Sequence, residues 1–121
     1  MKKFLLQRIN SFRFAFRGIY VFFKNETHAK IHLLAVFITS GAGYFFHISA
    51  TEWCLILLCF SIVLTAEAIN SAIETTIDLI SPEIHPLAGK AKDLAAGAVL
   101  LAAIFTVIVA AIIFFPKIFP F

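Results

Sequence analysis

Glu67, Asn70, Ser71, Glu74 and Asp78 recur at the spacing of one helical face. With Glu67 at zero and about 100° per residue, all five fall within an arc of about 100°. The intervening Ala68, Ile69, Ala72, Ile73 and Thr76 point elsewhere. Three carboxylates, an amide and a hydroxyl therefore form one polar stripe, about 16 Å long at about 1.5 Å per residue. A carboxylate held within hydrogen-bond reach of a hydroxyl can take its proton. Stacked carboxylates with no equal number of Lys or Arg in the apolar segments suit a hard divalent cation with oxygen ligands, Mg²⁺ above all. Asn70 or Ser71 taken singly would also serve as interhelical hydrogen-bonding glue, a reading that three carboxylates do not fit.

Two further groups carry the same kind of chemistry. Glu26, in Lys24-Asn25-Glu26, and Lys92-Asp93 both flank long apolar stretches. A Lys beside metal-binding carboxylates neutralises the charge that develops when a phosphoryl group is transferred. Each also has a plainer reading, Lys92 as a snorkelling helix-end residue and Asp93 as a helix N-terminal charge. Neither a glycine-rich phosphate loop nor the protein-kinase motif set occurs, so nucleotide chemistry here would need another architecture.

The stripe must be positioned by elements that live in an apolar solvent. The chain is 61% hydrophobic with mean hydropathy +0.97. A soluble domain of 121 residues needs a polar shell that this composition does not supply. No linker-like stretch divides the chain, which reads as a single unit over residues 1–121. Apolar stretches at about 31–48, 53–80 and 94–115 are each near the roughly 20 helical residues that cross a hydrocarbon core. An unpaired carboxylate inside such a span costs about 2.5 kcal/mol or more, so the stripe demands a partner, a cation or water.

Basic residues set the expected orientation. Lys2, Lys3, Arg8, Arg13, Arg17, Lys24 and Lys30 precede the first span, Lys90 and Lys92 lie between the second and third, and Lys117 alone follows the third. This asymmetry predicts a cytoplasmic N-terminus and second link, with the C-terminus outside. Over about residues 4–24, Lys3, Asn10, Arg13, Arg17 and Lys24 gather on one side of a helix. Leu5, Ile9, Phe12, Phe16, Ile19 and Phe23 gather on the other. That pattern predicts an amphipathic helix lying in the membrane surface, its basic side toward anionic headgroups. Arg8 falls on the apolar arc, where it either snorkels or turns inward toward Glu26.

The basic N-terminus is not read as a signal peptide, because Arg8, Arg13, Arg17 and Lys24 interrupt any apolar core. Cys54 and Cys59 face different sides of a helix and are expected as reduced thiols. Ser81-Pro82-Glu83-Ile84-His85-Pro86 reads as the loop that ends the second span. Ser49 with Glu52 predicts a capping box at that span's start.

The pattern Glu67-x-x-Asn70-Ser71-Ala72-Ile73-Glu74-x-x-Ile77-Asp78, preceded by Asn25-Glu26 and followed by Ala91-Lys92-Asp93, resembles the prokaryotic diacylglycerol kinase family, which includes the undecaprenol kinases. The resemblance covers essentially the whole chain. It implies an all-α integral membrane protein of the bacterial cytoplasmic (inner) membrane, a homotrimer of three-span subunits whose active sites are shared between neighbours. It implies ATP-dependent phosphorylation of a membrane lipid alcohol, diacylglycerol or undecaprenol, with Glu67 as the base on the hydroxyl. Glu26 and Glu74 would bind the Mg²⁺ of MgATP. Lys92 and Asp93 would contact the nucleotide, together with Glu83 and His85, while Asn70, Ser71 and Asp78 support the site. No nucleic-acid partner is expected. Phe14 stands where the enterobacterial branch carries a nucleotide-contacting Tyr, and Lys30-Ile31-His32-Leu33 looks more like the Gram-positive undecaprenol kinases. His32 itself reads either as a membrane-interface histidine or as part of a headgroup site.

A membrane transport or assembly subunit is the competing class, since intramembrane carboxylates also mark ion and proton pathways. That class predicts acidic groups spread across the membrane depth, whereas here they crowd one half of one helix.

Overall fold

In a computed structural model, described for residues 1–120, the chain is four helices joined by short links. They are α1 (Lys2–Asn25), α2 (Thr27–Phe45), α3 (Ala50–Ile80) and α4 (Pro86–Ile118). No strand occurs among the described residues. Glu26 alone separates α1 from α2, with extended backbone at φ −90° and ψ 117°.

The links are specified locally. α2 ends at Phe45, short of the Ile48 expected, because His47 takes a left-handed conformation with φ 51°. The His47 N–H then donates to the Tyr44 carbonyl and the Ile48 N–H to the Gly43 carbonyl, which closes off the helix in a Schellman arrangement. The expected capping box starts α3: Glu52 N–H donates to Ser49 Oγ at 3.1 Å, and Ser49 N–H donates to Glu52 Oε2 at 2.8 Å. α3 stops at the Ser81-Pro82 step, and α4 begins at Pro86, capped by His85 Nδ1 accepting from Leu87 N–H. Pro86 suits a first helical turn, where no N–H is needed. Lys92 and Asp93 therefore lie inside α4 rather than at its entrance.

α3 and α4 run antiparallel as the central pair, and α2 packs on α3. The best-buried apolar cluster is Ile48, Ile56, Phe60 and Ile113, with Val36, Trp53 and Phe114 against it. It sits at the end of the molecule where α2 turns into α3. Gly43 makes this join close: a Cβ there would stand 2.9 Å from Ile48 Cδ1 and from the Trp53 ring. Two ion pairs tie α3 to α4, Glu52 with Lys117 at one end and Asp78 with Lys92 at the other. Along the helices these pairs stand about 38 Å apart. That exceeds a hydrocarbon core of about 30 Å, so charge brackets the apolar stretch between them.

α3 and α4 are long and apolar enough to cross a membrane. α2 does not reach that standard, since its 19 residues include Thr27, His28, Lys30 and His32 in the first turns. Two of the three expected spans thus stand on length and composition. The accessible surface is 9450 Å², against roughly 6500 Å² for a compact soluble monomer of this mass. Large apolar side chains are left uncovered on all four helices. α1 buries no residue. Its Arg8 stacks over the Phe4 ring, 5.0 Å from the centroid, and does not turn toward Glu26.

Candidate active site

One cavity of about 390 Å³ gathers Glu26, Glu67, Asn70 and Glu74 with His28 and His32 of α2 and Ala96, Val99, Leu100 and Ala103 of α4. Each polar group arrives from a different constraint. Glu26 is placed by the break between α1 and α2. His28 and His32 follow one helical turn apart on α2, and Glu67, Asn70 and Glu74 share the inward face of α3. The small side chains Ala96 and Ala103 leave the space open.

Burial in this cavity is selective. Glu67 is 4% exposed and Asn70 8% exposed, the two buried polar residues among those described. Asn70 Nδ2 donates to Glu74 Oε1 at 3.3 Å. This bond orients the amide, because a flipped Asn70 would set its oxygen against a carboxylate. Asn70 Oδ1 is then buried without a protein partner, an acceptor that calls for a donor from a ligand or water. The basic group nearest Glu67 is His32, with Nε2 3.8 Å from Glu67 Oε2. No Lys or Arg lies within 4 Å of that carboxylate among the described residues, so it presents an acceptor to the cavity.

The other sequence-derived residues stand apart within one subunit. Asp78 and Lys92 pair with each other and, with Glu83 and His85, line a separate hollow of about 220 Å³ beneath the Ser81–His85 loop. Asp93 lies on the far side of α4, in an open groove with Lys90, Leu94 and Gly97. Ser71 is half-buried and lines none of these three hollows; its carbonyl accepts from Thr75 Oγ1 at 2.9 Å. Phe14 is exposed. Of the five residues on the expected stripe, Glu67, Asn70 and Glu74 line one cavity while Ser71 and Asp78 do not, and His28 and the α4 wall were missed. The i, i+4 repeat of His28 and His32 directly after Glu26 was the available signal.

A second cavity of about 300 Å³ continues from the first, sharing His32 and Ala103 with it. Its lining is otherwise apolar or hydroxyl-bearing, including Val36, Phe60, Val63, Leu64 and Val107. An acidic chamber beside an apolar one, both lined by α2, α3 and α4, has the polarity pattern that an amphiphile needs.

For a metal, the donors present are hard oxygens. Among the described residues no three His, Cys, Asp or Glu side chains are grouped closely enough to hold an ion by themselves. Glu26 and Glu74, which line the same cavity, offer two carboxylates. That number fits Mg²⁺, which is commonly held by one or two carboxylates with phosphate oxygens and water completing its shell.

A buried carboxylate facing a cavity in an all-helical membrane protein is an arrangement that a membrane-embedded lipid enzyme can use. The chain belongs to the prokaryotic diacylglycerol kinase family, whose pattern matches residues 13–114. It is 39% identical to an undecaprenol kinase of Bacillus subtilis over 107 residues, covering 88% of this chain and 87% of the relative. It is 36% identical to a diacylglycerol kinase of Synechocystis over 107 residues, covering 88% of this chain and 61% of that longer protein. A diacylglycerol kinase of Haemophilus influenzae is 33% identical over 98 residues, with 81% and 83% covered. The family is one of lipid kinases, and the chain is accordingly a transferase that uses a membrane lipid.

Proposed function

We propose that this protein transfers the γ-phosphate of ATP to the hydroxyl of undecaprenol or diacylglycerol, giving undecaprenyl phosphate or phosphatidic acid. The observation that carries the reading is the burial of Glu67 in the acidic cavity, 3.8 Å from His32, which lines both that cavity and the apolar one. With the lipid tail in the apolar chamber, the hydroxyl reaches the Glu67 carboxylate. Glu67 takes the hydroxyl proton as the oxygen bonds to the γ-phosphorus, and the bond from that phosphorus to the ADP oxygen breaks. Asn70 holds Glu74 in place by its amide N–H, and Glu26 and Glu74 are the residues that would hold Mg²⁺. Bound there, Mg²⁺ would supply positive charge to the phosphate oxygens.

The same reading assigns Lys92, Asp93, Glu83 and His85 to the nucleotide, with Asp78 and Ser71 in support. Lys92 must then exchange Asp78 for phosphate oxygens when ATP arrives. α2 serves as a third span whose His28, Lys30 and His32 sit at the cytoplasmic boundary, and α1 rests in the membrane surface. Residues 1–121 form one kinase domain in the bacterial cytoplasmic membrane, with the N-terminus inside and the C-terminus outside. Three copies assemble, and a neighbour covers the open α4 groove that holds Asp93.

The test is phosphate transfer from labelled ATP by purified protein in mixed micelles, with diacylglycerol and undecaprenol offered at equal mole fraction. A Mg²⁺-dependent lipid phosphate is expected, and the lipid that carries the label identifies the substrate. Folded protein that labels neither lipid would overturn the reading.

A further inference from the structure

The reaction as derived leaves His32 unused, although it lines both cavities and only Ala103 shares that placement. Its side chain is 24% exposed, and its Nε2 stands 3.8 Å from Glu67 Oε2. That separation is too long for a direct hydrogen bond. It does fit one oxygen atom placed between them, about 2.7–3.0 Å from each. An alcohol oxygen meets the demand of both neighbours, because it donates its proton to a carboxylate and accepts from an imidazole N–H. Of the other polar groups around the chamber, His28 lines only the acidic cavity and is not the histidine beside Glu67. Glu26 and Glu74 are acceptors, Asn70 Nδ2 is engaged by Glu74, and Asn70 Oδ1 is an acceptor as well.

We infer that His32 binds the acceptor hydroxyl of the lipid, its Nε2–H donating to the same oxygen whose proton goes to Glu67. The imidazole fixes the oxygen at the boundary between the acidic and apolar chambers, with the remaining lone pair left for phosphorus. His32 thereby acts on the lipid end of the reaction and not on the nucleotide end, which lies toward Glu26 and Glu74. The required contact is with a primary alcohol on an apolar tail, a feature that diacylglycerol and undecaprenol share. The inference rests on the lipid kinase reading above.

His32→Ala and His32→Gln separate the two. Initial rates are measured in mixed micelles with lipid varied at saturating MgATP, and with MgATP varied at saturating lipid. The loss of one neutral hydrogen bond raises the lipid KM of His32→Ala by about three- to tenfold. The KM for MgATP stays within about twofold, since nothing at the nucleotide end has changed. His32→Gln, which returns an N–H donor of similar reach, recovers most of the lipid KM. An unchanged lipid KM in His32→Ala would overturn the assignment. So would an equal rise in both KM values that Gln fails to relieve, the pattern of a purely structural role. Wild-type protein that transfers phosphate while both variants match it sinks only this inference. Wild-type protein that transfers to neither lipid sinks the kinase reading and this inference with it.

Discussion

Glu67 carries the largest chemical demand among the described residues, a carboxylate at 4% exposure with a histidine at 3.8 Å and, among those residues, no Lys or Arg within 4 Å of it. Glu67→Gln keeps the shape and removes the proton acceptor. Phosphate transfer is expected to fall by about 10²–10⁴-fold, the usual worth of a positioned general base, with helical content and membrane insertion retained. Near-normal turnover would remove Glu67 as the base. Glu74→Ala deletes a proposed Mg²⁺ ligand and leaves Asn70 Nδ2 without its acceptor. Its expected result is a rise in the Mg²⁺ concentration needed for half-maximal rate, and an unchanged Mg²⁺ dependence would end that assignment. At this scale the stripe was legible because α-helical geometry turns spacing directly into facing. His28 was not, since a histidine near a membrane boundary looks the same in sequence whether it faces lipid or a cavity.

At the scale of elements, the join between α2 and α3 is the most tightly specified part of the fold. Gly43 lies where a Cβ would be 2.9 Å from the Trp53 ring, a neighbour that cannot bend aside as a flexible chain end can. Gly43→Ala is expected to destabilise the detergent-solubilised protein by about 1–3 kcal/mol, the range for overpacking. Thermal unfolding followed by circular dichroism reads this, and an unshifted midpoint would mean the join is looser than its contacts indicate. Ser49→Ala removes the side-chain half of the capping box and is expected to cost about 1 kcal/mol by the same measurement. The capping box was readable from Ser49 and Glu52 because it depends on neighbours three residues apart. The end of α2 was placed too late, because a left-handed His47 resembles no standard stop signal, which is ordinarily Gly or Asn.

For the whole molecule, the exposed surface dominates. A single chain that leaves 9450 Å² accessible, most of its apolar side chains included, requires an apolar surrounding to complete its burial, and the proposed trimer would supply part of it. Cross-linking in native membranes is expected to yield a trimer, and Gly97→Leu, in the open α4 groove where an added Cβ meets nothing within 4 Å in its own subunit, to weaken it. A protein that stays monomeric in membranes yet phosphorylates lipid at full rate would overturn the shared-site arrangement. Orientation is checked by labelling single cysteines from either side of sealed vesicles, in a variant lacking Cys54 and Cys59. A cysteine near the N-terminus is expected to react only from the cytoplasmic side, and one near Phe119 only from the outside.

Sequence by itself determined the membrane environment, the helical class, the polar face of α3 and the resemblance to a lipid kinase family. These depend on composition, on a period of about 3.6 residues and on short motifs, all of which are local properties of the chain. Only the tertiary structure decided which of the chemically competent residues meet. It brought Glu26 and His32 to the Glu67 stripe across the α1–α2 break. It gave Lys92 to Asp78 in a separate hollow and turned Asp93 outward. Those outcomes follow from how α2 and α4 are rotated about their own axes when they pack on α3. That rotation is set by interlocking side chains far apart in sequence, Ile48 and Phe60 with Ile113 among them.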